Sequence, residues 1–152
     1  MNKLETQVLI IGGGITGTGI ARDLSLRGIP CIVVEKKDIN AGASGSNHGL
    51  LHSGARYVLH DAGTAPEGME ESRILKQVAP QCIEDTGGLF VAVKGDDESY
   101  IADFPSLCAA AGITVNPVDI LDALETEPAL SGNIIAAYET TDAAVDPFRL
   151  SL

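Results

Sequence analysis

A chain of 152 residues, 45% hydrophobic and 20% charged, has the length of one domain, enough apolar matter for a core and too much for disorder. Apolar runs such as Val8–Ile11 fall far short of the roughly 18 residues of a membrane span, and Met1–Gln7 is polar with no cleavage site behind it. Three cysteines without a CxxC argue against a disulfide framework and fit a reducing, cytoplasmic compartment.

The net charge of −11 is uneven. Residues 1–63 hold six Lys and Arg against five Asp and Glu, and residues 64–152 hold four against sixteen. So acidic a chain is a poor nucleic-acid binder. A site for an anionic ligand belongs in the first part, which also carries 11 of the 17 glycines and all three histidines.

Val8–Ile11 reads as a strand, apolar on both faces and therefore a buried parallel one. Gly12-Gly13-Gly14-Ile15-Thr16-Gly17 follows at once. A helix then runs from Ile15 to Arg27, with Ile20, Ala21 and Leu24 on one face and Gly28 as its stop. Beyond Pro30 a second strand, Cys31–Val34, ends in Glu35. Strand, helix and strand at this spacing require a right-handed crossover. In such a unit Gly12 makes the tight turn, Gly14 lets a pyrophosphate approach the backbone, and Gly17 lets the helix pack close to the sheet. The helix N-terminus attracts phosphate. Glu35 stands where a carboxylate accepts both hydroxyls of an adenosine ribose. A glycine-rich turn that merely packs would leave Glu35 without a reason.

Residues 40–60 separate a flavin from a nicotinamide. An NAD-dependent dehydrogenase goes from its second strand into an ordinary helix. Here Ala41–Ser46 is a small-residue loop, and Gly42, Ala43, Ser44, Gly45 and Gly49 offer a backbone with little bulk against a tricyclic ring. His48 and His52 are four apart, with His60 further on. No cysteine is near and glycines interrupt the segment, so no metal site is expected. His52 is a polar group near the flavin or a satisfied structural histidine. Arg56 has two bland readings, a solvated surface residue or an ion pair with Asp61.

The remaining chain alternates. Glu67 to Ile83 has helical spacing through Met69, Ile74, Leu75, Val78 and Ile83, with Pro80 kinking or ending it. A turn at Thr86-Gly87-Gly88 leads to a strand, Leu89–Val93. A helix from Glu98 to Ala111 is interrupted by Pro105 and stopped by Gly112. Ile113 to Val115 is extended, Asp119 caps a short helix to Glu125, and Ile134 to Tyr138 is a strand. Asp146-Pro147 is a helix start. With two parallel strands before the acidic part, the first half-fold lacks its third, which suggests an N-terminal fragment. The expected class is α/β: a partial Rossmann-like, doubly wound parallel sheet. A boundary falls near Gly87.

GGGITGTGIARDLSLRG, VVEKKDI, GASGSNHGLLHSGARY, LFVAV and VDPFRL together resemble the flavoprotein subunits of anaerobic glycerol-3-phosphate dehydrogenases. These lie within the group of FAD-dependent oxidoreductases with a D-amino-acid-oxidase-like fold. The resemblance implies that residues 1–86 begin an FAD-binding domain, 87–140 begin an inserted α+β substrate domain, and 141–152 return to the FAD domain. It implies FAD held by Gly12, Gly14, Ile15, Thr16, Gly17, Glu35 and Lys36, and by Ser44, Asn47, His48, Gly49, Leu50 and Leu51 along the pyrophosphate and ring. Arg56, with Tyr57 beside it, matches a family arginine that meets the substrate. His52 is the one catalytic candidate, and the base itself is expected beyond Leu152. The implied reaction is oxidation of sn-glycerol 3-phosphate to dihydroxyacetone phosphate. Electrons pass toward quinone through partner subunits at the cytoplasmic face of the membrane. Alternatives are a flavoenzyme of the same fold acting on a 2-hydroxy acid or amino acid, and a non-catalytic nucleotide-binding fragment.

Overall fold

The computed structural model describes residues 3–152. Contacts gather them into two units, the chain up to Gly49 with Val145–Leu152, and Leu50–Ala144.

In the first unit, strand β1 (Val8–Ile11) pairs in parallel with β2 (Cys31–Val34), and helix α1 (Ile15–Leu26) connects them. The register is direct, Val8 opposite Cys31 through Ile11 opposite Val34. Ile29 N–H closes the end of α1 on Leu24 O. Both strands and the helix fall where the apolar spacing puts them. Burial does not. Ile10 is buried, but Leu9, Ile11, Val33 and Val34 are exposed, and so is Ile20 on the helix face expected to be covered. A two-stranded sheet with one helix has too little surface to cover both faces of a strand, so the expectation that β1 is buried on both faces is corrected here. Gly17 is the buried residue of α1, and Ala21 and Leu24 are half-buried.

Three short strands have no counterpart in the apolar pattern: β3 (Leu50–Leu51) and β4 (Ile83–Glu84), at either side of helix α2 (Thr64–Val78), and β8 (Ala143–Val145). Strands this short carry no periodicity to read. Helix α2 starts three residues earlier than its apolar spacing suggests and stops before Pro80, which opens a 3-10 turn, Pro80–Cys82. Its buried residues are Ala65 and Ser72, whereas Val78 is exposed. The helix is held by close approach rather than by a stripe of large side chains: Gly54 lies against the Ala65 carbonyl and Gly68 against Gly54.

Strand β5 (Gly88–Val93) follows, then helix α3 (Glu98–Ala110), β6 (Val115–Pro117), helix α4 (Ile120–Thr126), β7 (Ile134–Thr140), β8 (Ala143–Val145) and helix α5 (Pro147–Leu150). β7 is the centre of an antiparallel sheet in the order β5-β7-β6, and β8 the centre of β3-β8-β4. Asp97, Asp119 and Asp146 each cap the helix that follows, accepting backbone N–H groups of its first turn.

Pro105 does not interrupt α3. A proline there denies the Ile101 carbonyl its helical donor. The Tyr138 hydroxyl takes that place, donating to Ile101 O at 3.3 Å from the neighbouring sheet. Tertiary packing thus overrides the local break. The same ring closes an aromatic group around Phe104, whose centroid is 5.3 Å from those of Phe90 and Tyr138 and 5.9 Å from that of Tyr100. With Ala55, Val58, Ala65, Cys108 and Ile113, Phe104 forms the core of the second unit. That core explains why residues 50–86 are compact with 87–144, whereas composition places a boundary at Gly87. Val58 and Ala65 share it with Phe104 and Cys108 of α3, across the composition change.

Candidate functional site

The first unit holds a cradle built from backbone. β1 ends at Ile11, and Gly12 turns the chain at φ +117°, a conformation L side chains rarely adopt, while its N–H donates to Val34 O at 2.8 Å. Gly17 then comes so close to the Gly12 carbonyl and Ile10 that a Cβ could not be accommodated. Between them lies the N-terminus of α1, with Gly14 as its cap and no acidic residue in its first turn. The positive end of the helix is therefore not neutralised from its own sequence.

Ser44, on the 3-10 turn Ala43–Gly45, reaches this end, and its Oγ accepts from Ile15 N–H at 3.0 Å. The accepting hydroxyl retains its own hydrogen, and a Cβ on Gly14 would meet Ser44 Oγ at 2.8 Å. Thr16 is exposed on the first turn.

Glu35 closes the other side. One carboxylate oxygen accepts from Gly13 N–H at 2.8 Å and the other from Lys37 N–H at 2.9 Å. These bonds, the Gly13 one foremost, hold its pKa below the ordinary glutamate range, so it stays an acceptor. Each oxygen retains a lone pair for a hydroxyl. Lys36, exposed beside it, adds a smaller push in the same direction.

The small-residue ribbon is anchored to this mouth. Asn40 sits at φ 63°, and its N–H donates to Gly13 O at 3.0 Å. Its Nδ2 donates to Pro147 O at 2.8 Å. Asn47 clasps the ribbon, Nδ2 donating to Ser44 O and Oδ1 accepting from Gly49 N–H, both at 2.7 Å. Gly49 O accepts from Val145 N–H at 2.8 Å. His48 is exposed. The ribbon therefore stays at the Gly12–Gly17 bend. Backbone donors, a hydroxyl and a fixed carboxylate gathered at one helix N-terminus fit a dinucleotide-type cofactor such as FAD. Asn40 was not picked out from sequence; the signal available was an asparagine, tolerant of positive φ, just ahead of a glycine-rich loop.

The second unit holds a different cluster. Leu50 and Leu51 form β3, opposite Ala144 and Ala143. Residues 48–52 are not helical, so His48 and His52 do not share a helix face. His52 and Arg56 meet instead across the turn into Ala55–Tyr57: Arg56 Nη1 lies 2.9 Å from His52 Nε2. The guanidinium also stacks over the Tyr57 ring, 5.5 Å from its centroid. Asp61 is engaged elsewhere, accepting from the Thr64 hydroxyl at 2.6 Å and from its N–H at 3.2 Å, so the ion-pair reading of Arg56 is replaced by the His52 contact. On the other side of the ring, His52 Nδ1 lies 3.4 Å from Asp142 Oδ2. Asp142 is buried, and its Oδ1 accepts from Ser53 N–H at 2.6 Å. Nothing in the sequence marks Asp142, which is ninety positions from His52. Among the described residues no group of three or more His, Cys, Asp and Glu gathers as a metal would need.

Comparison with known proteins follows the same lines. Residues 7–152 match the family described as FAD dependent oxidoreductase. The chain is 46% identical over 151 residues to a subunit of the anaerobic glycerol-3-phosphate dehydrogenase of Haemophilus influenzae, covering 99% of this chain and 27% of that protein. It is 50% identical over 147 residues to the corresponding subunit of the Escherichia coli enzyme, covering 97% of this chain and 27% of that one. The chain thus spans about a quarter of the length of these curated relatives. Among solved structures, L-proline dehydrogenase from P. horikoshii superposes with a TM-score of 0.83 at 22% identity, over 99% of this chain and 40% of that one. At that identity the likeness concerns the fold.

Proposed function

The chain belongs to the FAD dependent oxidoreductase family, and from that premise we propose that it forms part of an enzyme oxidising sn-glycerol 3-phosphate to dihydroxyacetone phosphate. The identity of 46% and 50% to glycerol-3-phosphate dehydrogenase subunits, spread over nearly the whole chain, supports the substrate. The observation that carries it within the structure is Arg56. Its guanidinium is exposed, always charged, and held by His52 and Tyr57. A planar fork held in this way suits the oxygens of a phosphate monoester better than a flexible ammonium does.

FAD, when bound, supplies the acceptor for the hydride that leaves C2 of the substrate. The residues of this chain bind and orient. Gly12, Gly14 and Gly17 admit the pyrophosphate to the backbone beside Ile15, with the Thr16 N–H and the Ser44 hydroxyl as donors. Glu35 takes the ribose hydroxyls, with Lys36 alongside. Asn47, His48, Gly49, Leu50 and Leu51 line the ring. Arg56 and Tyr57 hold the phosphate end of the substrate, and fixing C2 in this way lowers the entropic part of the barrier. In this reading residues 1–86 and 141–152 belong to the FAD-binding part and 87–140 to the substrate part.

Electrons then pass to quinone through partner subunits, with the enzyme at the cytoplasmic face of the membrane. The relatives are each named as one subunit of their enzyme, which supports such partners. Among the described residues no helix is long and apolar enough to cross a membrane.

The test is the protein purified from its complete reading frame. It should be yellow, and anaerobic addition of sn-glycerol 3-phosphate should bleach the flavin bands. Bleaching by 2-hydroxyglutarate or glycine instead would transfer the site to a carboxylate substrate, and a colourless protein that takes up no FAD would end the flavin reading.

A further inference from the structure

We infer that Asp142 is a positioning residue: by fixing the tautomer of His52 it keeps Arg56 oriented for an anionic substrate group. The inference rests on the reading of Arg56 as the phosphate-binding group.

The argument is one of donors and acceptors. A guanidinium has hydrogens on every nitrogen and accepts nothing. At 2.9 Å from Arg56 Nη1, His52 Nε2 must therefore present its lone pair. The hydrogen of the neutral imidazole is then on Nδ1, the nitrogen facing Asp142 Oδ2. Asp142 is suited to receive it. It is buried, and its other oxygen is committed to Ser53 N–H at 2.6 Å. Gly88 packs so tightly on it that a Cβ at that position would stand 2.9 Å from Asp142 Cβ. The Ser53 bond and the close Gly88 backbone set the orientation of the carboxylate. Asp142, His52 and Arg56 thus form a directed chain in which each acceptor is set by the group behind it, running from a buried carboxylate to an exposed cation. Its polarity is fixed only while Asp142 offers two acceptor oxygens.

Asp142→Asn keeps the shape and reverses the polarity. The Ser53 N–H still requires an oxygen, so the new amide group turns its NH2 to His52 Nδ1. The ring then carries its hydrogen on Nε2, donor faces donor at Arg56, and the guanidinium loses its hold. A switch of tautomer on an Asp-to-Asn change is an established way to lose function without losing geometry.

The experiment uses the holoenzyme with 15N-labelled histidine. In the unsubstituted protein the neutral His52 should show the Nδ1–H pattern of nitrogen shifts. In Asp142→Asn it should show the Nε2–H pattern, and the KM for sn-glycerol 3-phosphate should rise on the order of tenfold, the worth of one charge-assisted hydrogen bond. FAD content should be unchanged. In an Arg56→Ala background the same substitution should add little to KM, because it acts through that side chain. In a His52→Gln background, where an amide oxygen can meet Arg56 without any tautomer, its effect should also shrink.

An Nε2–H pattern in the unsubstituted protein overturns the inference, and needs no variant that has to fold. So does an Asp142→Asn enzyme with unaltered KM when Arg56→Ala raises it. If Arg56→Ala leaves KM unchanged, the phosphate-binding reading of Arg56 has failed, and the tautomer measurement still reports on the chain of bonds.

Discussion

Two glycines of helix α1, two residues apart, should respond to the same substitution with opposite signs. A Cβ on Gly17 would overlap the Gly12 carbonyl oxygen and stand 3.1 Å from the Gly12 carbonyl carbon and 3.4 Å from Ile10 Cγ2. Ordinary contact begins near 3.4 Å, so Gly17→Ala demands that helix and turn move apart. Backbone opposes the new methyl there, and no side chain can rotate away. Overpacking of that kind costs about 3 kcal/mol, offset by the ~0.5–1 kcal/mol that alanine gains over glycine in a helix. A methyl on Gly19 would meet nothing within 4 Å, so Gly19→Ala keeps only the gain. Thermal unfolding should place Gly17→Ala below and Gly19→Ala slightly above the unsubstituted protein. Because the displaced turn is the mouth of the cradle, Gly17→Ala should also lose FAD on gel filtration. A Gly17→Ala protein with unaltered midpoint and full flavin would refute the close approach of α1 to the Gly12 turn.

Other outcomes follow from single contacts. Tyr138→Phe should cost about 0.5–1.5 kcal/mol, by removing the donor to Ile101 O, and in a Pro105→Ala background, where residue 105 again has an N–H, denaturant titration should show most of that cost gone. Glu35 has its pKa depressed by the Gly13 and Lys37 N–H groups, so its contribution is intact above the ordinary glutamate range and lost as pH falls through the depressed value. Acid titration followed by flavin fluorescence should show that step in the unsubstituted enzyme and not in Glu35→Gln; a release midpoint well above the glutamate range in both would remove Glu35 from the cofactor site. Arg56→Ala should raise KM for the phosphorylated substrate with flavin content unchanged, and Arg56→Lys should recover part of it, since an ammonium keeps the charge and lacks the fork. Loss of flavin from Arg56→Ala would instead assign that side chain to the cofactor.

The sequence alone determined the local features: the β1-α1-β2 unit, the Gly12–Gly17 bend, Glu35 at the end of β2, and the aspartate caps at 119 and 146. Each is set by short-range physics: an apolar period, a positive φ, a side chain that reaches its own turn. Tertiary structure decided what depends on residues far apart in the chain. Pro105 reads as a helix breaker until Tyr138 supplies the missing donor from another strand. An ion pair with Asp61 is one reading of Arg56 until Thr64 is seen to occupy that carboxylate. The ninety residues between His52 and Asp142 hide their contact completely, because no period or motif links two side chains that meet only when β3 and β8 lie side by side. Burial, too, was a tertiary matter. Val33 and Val34 are apolar whatever covers them, and whether they are covered depends on how many strands and helices surround them.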